Sequence, residues 1–147
     1  AANDGMADYT ASMLEAICAA HDGNHSEPTV LLLGLTYKAN IAELRNAPSL
    51  PIARRLRAAG ATVLGVDPML ADADWRDLDA IERVDLDAAT AQTVDAVALI
   101  TPHDEFEAVD WAGFDAPILD GRQSIPAAVT DAPIYRIGGP WPETEYE

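Results

Sequence analysis

The sequence predicts an α/β fold: a Rossmann-like three-layer domain with a parallel sheet of five or six strands, preceded by an N-terminal helix. Two observations predict it. Short runs rich in Leu, Ile and Val, without polar alternation, recur along the chain, as in strands buried on both faces. Between them lie segments with helical spacing or with Pro and Gly punctuation. This alternation implies parallel strands joined by right-handed crossovers.

The first element is a helix over Asp8–Ala20, where Met13, Leu14, Ile17 and Cys18 share one apolar face. The polar stretch His21–Pro28 reads as a loop, since it carries Gly23 and ends in Pro28. Thr29–Leu35, TVLLLGL, is the first buried strand, and Thr36–Ala47 the loop after it. A helix follows from about Pro48 to Ala59. Pro48 and Pro51 suit its first turn, Ile52, Leu56 and Ala59 form its core stripe, and Gly60 stops it. Arg54, Arg55 and Arg57 lie towards its C-terminal end, where the helix dipole favours cations.

Ala61–Pro68, ATVLGVDP, is the second strand. A short strand over Ile81–Val84 and a helix over Leu86–Ala91 come next. Val94–Thr101 is a further buried strand, His103–Phe114 holds one or two short helices, and Ala116–Asp120 and Ala132–Ile137 are the last strands. The tail GGPWPETEYE reads as loose. The expected organisation is a connecting helix and loop over 1–27, the Rossmann-like domain over 28–140, and the tail over 141–147.

Composition narrows the partners. Nine basic residues against 25 acidic ones give a net charge of −16, and Lys38 is the single lysine. Such a surface repels nucleic acid and anionic membranes. It suits a halophilic protein working in high salt, where self-repulsion is screened, or an ordinary acidic cytosolic one. An apolar fraction of 49% excludes a disordered chain. No run has the length of a membrane span, no signal peptide is visible, and the lone Cys18 rules out an internal disulfide. A cytoplasmic location is expected. The opening AANDGMADYT lacks an initiator Met and reads as part of a longer protein.

Ligands of parallel α/β sheets bind beyond the carboxyl ends of the strands. That rule selects the loops Thr36–Ala47, Thr101–Phe106 and Asp120–Ser124. The first lacks the GxGxxG of a dinucleotide site and has Gly34 alone, but carries Lys38 and, seven residues on, Arg45. Side-chain cations suit a phosphate, Lys as a point charge and Arg as a planar fork. On charge alone, a solvated surface lysine explains Lys38 equally well. Asp67 stands where NAD domains place a ribose-binding acid, yet reads better as a turn cap before Pro68. His103 could act as a base, and a helix-capping or surface role fits it at least as well. His21 and His25 flank Gly23 and make a polar loop rather than a ligand pair. Cys18 is a core residue, and acids such as Asp72 and Asp74 form a solvated face. No nucleophile elbow or Walker loop is present, and no metal-ligand set is expected.

Read together, these loops resemble the C-terminal domain of the UDP-glucose/GDP-mannose dehydrogenase family. GLTYK (Gly34–Lys38), then Glu43 and the Arg45-to-Pro48 pattern, then a helix, then GATVLGVDP follow that family's order. TPHDEF (Thr101–Phe106) with Trp111, and DGR (Asp120–Arg122), match its later segments. The resemblance implies an NAD-dependent enzyme that oxidises a sugar C6 alcohol to a carboxylate with two NAD⁺. It implies that NAD is bound mainly by a missing N-terminal domain, and that a missing central helical domain makes a homodimer. By the same resemblance, Lys38, Tyr37 and Arg122 contact a UDP-sugar, Arg45 reaches the NAD diphosphate, and the catalytic cysteine lies outside this chain. The stretch Ala39–Glu43 departs from the family by being thinner in acids. Two rival readings are a stand-alone nucleotide-binding module and a domain that only packs against another subunit. The missing GxGxxG argues against an independent NAD sensor.

Overall fold

The computed structural model describes residues 2–22, 27–122, 124–126 and 130–142. Helix α1 (Ala2–Asp22) opens the chain. It is followed by β1 (Thr29–Leu33), α2 (Ser49–Ala58), β2 (Thr62–Val66), the short α3 (Asp72–Trp75) and β3 (Glu82–Arg83). Strands β4 (Ala96–Leu99), β5 (Ile118–Asp120) and β6 (Ile134–Arg136) complete one six-stranded sheet. The strand order is β3-β2-β1-β4-β5-β6 and every pairing is parallel. This is the doubly wound arrangement, and its order reverses between β1 and β4.

The sequence of β1 shows why the sheet sits in the middle. Val30, Leu31, Leu32 and Leu33 are all fully buried. Successive side chains point to opposite faces. Val30 and Leu32 join a core with Met13, Leu14 and Ile17 of α1 and Ile52 and Leu56 of α2. Leu31 and Leu33 join a second core with Phe106, Trp111, Phe114 and Ile118. A strand with two apolar faces needs both covered, which is what the unalternating pattern encodes.

The two covering layers differ. One is built of α1 and α2, and Ala7, Ala11 and Ala53 are buried among their larger neighbours. The other is built of 3₁₀ turns at Leu86–Ala91, Asp104–Ala108 and Trp111–Gly113. The expected helix over Leu86–Ala91 is therefore a 3₁₀ helix. Six residues give too few hydrogen bonds to offset α-helix nucleation, while a tight turn suffices to bury Ala89.

Helix α2 starts and stops as its sequence directs. Pro48 is its N-cap, and the hydroxyl of Ser49 donates to the carbonyl of Leu35 at 2.7 Å, tying the helix start to the loop just after β1. At the other end Gly60 takes a φ of +103°, and Ala61 N–H donates to Leu56 O while Gly60 N–H donates to Arg57 O. Those paired bonds satisfy the last carbonyls of the helix.

Other expectations need correction: Ala59, expected in the core stripe of α2, is its exposed C-cap, and Ala53 is buried there instead. Helix α1 is longer than Asp8–Ala20, because Ala7 and residues before it continue to pack or to propagate the helix. His21 lies in the last turn of α1, not in the following loop, and its Nε2 meets the hydroxyl of Tyr135; His25 lies outside the described residues. The first part of the tail is docked on α1. Gly138 N–H and Trp141 Nε1–H both donate to the Tyr9 hydroxyl, at 3.1 and 3.2 Å, and the Tyr9 and Trp141 rings meet edge to face. Among the described residues no helix is long and apolar enough to cross a membrane.

Candidate functional site

The C-terminal edge of the sheet gathers all three loops that the ligand rule selects. Beyond Leu33 the chain turns sharply at Gly34, whose φ is +89°. A Cβ there would lie 2.2 Å from Thr101 O, so only glycine lets the loops after β1 and β4 close on each other. Gly121 plays the same part after β5, since a Cβ would stand 2.6 Å from Leu99 O.

The crevice between β1 and β4 is where a doubly wound domain ordinarily receives its ligand. Here it is filled. Thr36, Asp67, Thr101 and His103 are all buried beneath it. Asp67 Oδ2 accepts from Leu35 N–H at 2.7 Å and lies 2.9 Å from His103 Nε2, while Oδ1 accepts from Met69 N–H at 2.9 Å. The hydroxyl of Thr101 donates to Thr36 O at 2.7 Å, and that of Thr36 donates to Lys38 O at 3.0 Å. The Asn40 N–H donates to His103 Nδ1 at 2.8 Å. Nδ1 therefore carries a lone pair and the ring proton sits on Nε2, facing the Asp67 carboxylate and the Thr36 oxygen, 3.2 Å away.

This arrangement corrects the expectation for His103. His103 is not on the surface and its side chain caps no helix; both ring nitrogens are engaged, so it is no free base. Within the loop Thr101–Phe106, Thr101, His103 and Phe106 are buried while Asp104 and Glu105 are exposed. Asp67 does cap the turn at Pro68, through Met69, but half of its carboxylate serves the buried network instead. A carboxylate so occupied is not offered to a ribose.

The rim above this network is different. Lys38, Arg45 and Arg122 are all exposed. Lys38 Nζ lies 5.7 Å from the centre of the Tyr37 ring, a weak cation–π contact at an exposed site, and Tyr37 is itself 40% exposed. Among the described residues no carboxylate lies within ion-pair distance of Lys38 or Arg122. Arg45 pairs only loosely with Glu43, at 3.4 Å, and its side chain is 80% exposed. In a chain with 25 acids, cations left open at the ligand edge are available to an anion.

Arg122 is presented by a loop that Asp120 builds. The buried Asp120 accepts from the backbone N–H groups of Arg122, Ser124 and Ile125 at 3.1, 3.0 and 2.9 Å, and from the guanidinium of Arg136. Arg136 in turn donates to Ile125 O at 2.9 Å. The aspartate of the Asp120–Arg122 segment is thus structural, and the arginine side chain is exposed. Arg122 borders a cleft of about 240 Å³ with Met6 and Thr10 of α1, Pro48 at the N-cap of α2, and Ile52 of α2. A larger cleft of about 570 Å³ lies beside Phe106, Trp111 and Ser124, but Glu107 and Asp110 stand on it and would repel a phosphate.

Sequence reasoning missed Asn40. It has a φ of +64°, and its side chain clips Asp104 by accepting from Asp104 N–H at 2.9 Å and donating to Asp104 Oδ1 at 3.2 Å. The available signal was its residue type: Asn tolerates the left-handed region better than most.

Fold and site define a Rossmann-like domain that has closed its dinucleotide crevice and keeps an open cationic rim. The pattern for the UDP-glucose/GDP-mannose dehydrogenase family, UDP binding domain, matches residues 31–127. The chain is 30% identical over 125 residues to a UDP-glucose 6-dehydrogenase of Rhizobium meliloti (strain 1021), a match over 85% of this chain and 28% of that protein. It is 27% identical over 128 residues to a UDP-N-acetyl-D-mannosamine dehydrogenase of Pyrococcus horikoshii, covering 84% of this chain and 28% of that one. The solved UDP-glucose dehydrogenase of Pyrobaculum islandicum superposes with a TM-score of 0.71 at 27% identity, over 88% of this chain and 29% of that one. The chain belongs to the UDP-glucose/GDP-mannose dehydrogenase family and corresponds to its C-terminal UDP binding domain. It spans under a third of the length of these relatives.

Proposed function

We propose that this chain supplies the nucleotide side of the substrate site in an NAD-dependent nucleotide-sugar dehydrogenase that oxidises a sugar C6 alcohol to a carboxylate. The observation that carries the reading is the open rim of Lys38 and Arg122 above a crevice already filled by His103 and Asp67. Lys38, with Tyr37 beside it, and Arg122 bind the UDP-sugar diphosphate. Arg45, further along the same loop, belongs to the cofactor side. NAD is held mainly by an N-terminal domain outside this chain, and dimerisation uses a central helical domain. The acidic surface fits a cytoplasm rich in salt, and the partner is a UDP-sugar rather than nucleic acid or membrane. The filled crevice disfavours a stand-alone dinucleotide sensor.

The test is calorimetric titration of this chain with UDP, UMP and uridine at one fixed, moderate ionic strength. Binding should strengthen with each phosphate, because the rim offers cations rather than a base-reading pocket. Equal binding of UDP and uridine, or no UDP binding at millimolar ligand, would sink the reading. NAD⁺ with UDP-glucose should yield no NADH from this chain, since its one cysteine, Cys18, is buried on the face of α1 that packs into the core. Substrate-dependent NADH would refute the division of labour proposed.

A further inference from the structure

Lys38 sits at the tip of a turn whose two flanks are fastened to the same buried group. On one side the Thr36 hydroxyl, within 3.2 Å of His103 Nε2, donates to the Lys38 carbonyl. On the other side the Asn40 N–H donates to His103 Nδ1. Ile41 N–H closes the turn more weakly on Lys38 O, at 3.4 Å, and Tyr37 N–H donates to Glu43 O at 2.8 Å. Asp67 holds the imidazole from below, and the same carboxylate oxygen holds Leu35 N–H where the loop begins. Asn40 takes its left-handed backbone and clips Asp104, which follows His103 directly. The side chains of Tyr37, Lys38 and Ile41 project from this frame into solvent, and of these only Lys38 carries a charge.

From this we infer that His103, oriented by Asp67, is a positioning residue: it sets the backbone from which Lys38 meets the ligand. A lysine has four rotatable side-chain bonds and no planar fork, so it cannot fix its own approach. A backbone held on both flanks removes part of the ordering that binding would otherwise require. A merely structural His103 would need a bond to Asp67 but none to the two residues that bracket the lysine. The inference rests on the proposal that Lys38 contacts UDP, and its test has one arm that does not depend on that proposal.

The first arm is amide hydrogen exchange on this chain. Asn40 should be protected in the wild type although the residue is exposed. His103→Ala should lower protection at Asn40 and Ile41 by about tenfold or more, since a net backbone bond is lost, while β1 and β4 stay protected. His103→Asn keeps an acceptor near the Nδ1 position and should recover protection at Asn40; it also serves if the alanine variant does not fold. The second arm is UDP titration of wild type, His103→Asn, His103→Ala, Lys38→Ala and the His103→Ala/Lys38→Ala double variant. His103→Ala should weaken UDP binding, His103→Asn should weaken it less, and the double variant should bind no more weakly than Lys38→Ala alone. Unchanged exchange at residues 37–41 would overturn the inference. So would additive losses in the double variant, since His103 would then act independently of Lys38. If Lys38→Ala leaves UDP binding untouched, the nucleotide reading fails, and the exchange arm still decides whether His103 frames the loop.

Discussion

Two groups of residues share the C-terminal edge of the sheet and do opposite things. Below, Thr36, Asp67, Thr101 and His103 are buried, with their polar atoms turned on one another and on the backbone. Above, Lys38, Arg45 and Arg122 are exposed, and their charges are loosely paired or open. The motifs that mark the family run through both groups: GLTYK contributes Thr36 to the lower and Lys38 to the upper. A motif residue is therefore not by itself a ligand residue. Half of this edge is spent on closing the crevice that a dinucleotide would enter, and the other half on a rim that an anion can reach.

Cutting the buried half should have the largest effect. Asp67→Ala removes the acceptor of Leu35 N–H, Met69 N–H and His103 at once. Leaving a buried donor without its acceptor costs about 1–3 kcal/mol, and three donors lose theirs here. Equilibrium urea unfolding should show a loss of that order. A loss below about 1 kcal/mol, comparable with an exposed site, would mean that the network is not what holds the edge together.

The exposed half should behave in the opposite way. Lys38→Ala should weaken UDP binding by about 1.5–3 kcal/mol, the range for hydrogen bonds to charged groups, and leave the urea midpoint unmoved. Arg122→Ala should do the same, because Asp120 holds that loop through backbone N–H groups that the substitution retains. If either variant unfolds early, the separation between frame and rim is wrong. If neither affects UDP, the rim is a solvated surface.

How much of this was legible beforehand depends on what each residue's role requires. The strands were readable because Val30–Leu33 announce two-sided burial by composition alone, and the start of α2 at Pro48 and its stop at Gly60 follow from backbone chemistry. The positions of Lys38, Arg45 and Arg122 at the ligand edge followed from strand-end placement. The roles of His103 and Asn40 did not. His103 is 67 residues from Thr36 and 36 from Asp67, so its burial depends on tertiary pairing of β1, β2 and β4. Nothing local distinguishes a histidine that will be covered from one that will not. The docking of Trp141 on Tyr9, across 132 positions, was hidden for the same reason.

Salt should separate the two halves further. With a net charge of −16, raising ionic strength from 0.1 to 1 M shortens the screening length from about 10 to about 3 Å and relieves self-repulsion. The melting temperature of this chain should rise over that range. UDP affinity should fall over the same range, because the rim contacts are exposed and are screened too. Opposite signs are the expected result, read by calorimetry at each salt concentration. A stability that is flat or falls with salt would mean that the acidic surface answers to something other than repulsion.

The smallest expected effect tests a division within the rim itself. Arg45 lies on the same loop as Lys38, but beyond the turn that His103 frames, with its side chain 80% exposed and loosely held by Glu43. Losing so exposed a pair should cost the fold less than about 0.5 kcal/mol. If Arg45 serves the cofactor side, Arg45→Ala should also change UDP binding to this chain by less than about 0.5 kcal/mol, within the spread of exposed charge pairs. The same substitution in a protein that carries the NAD-binding domain should weaken NAD⁺ more than the nucleotide-sugar. The comparison needs one fixed ionic strength, since salt screens the contacts being measured. Should Arg45→Ala weaken UDP as much as Lys38→Ala does, the whole loop, and not its framed turn alone, would be the nucleotide's binding surface.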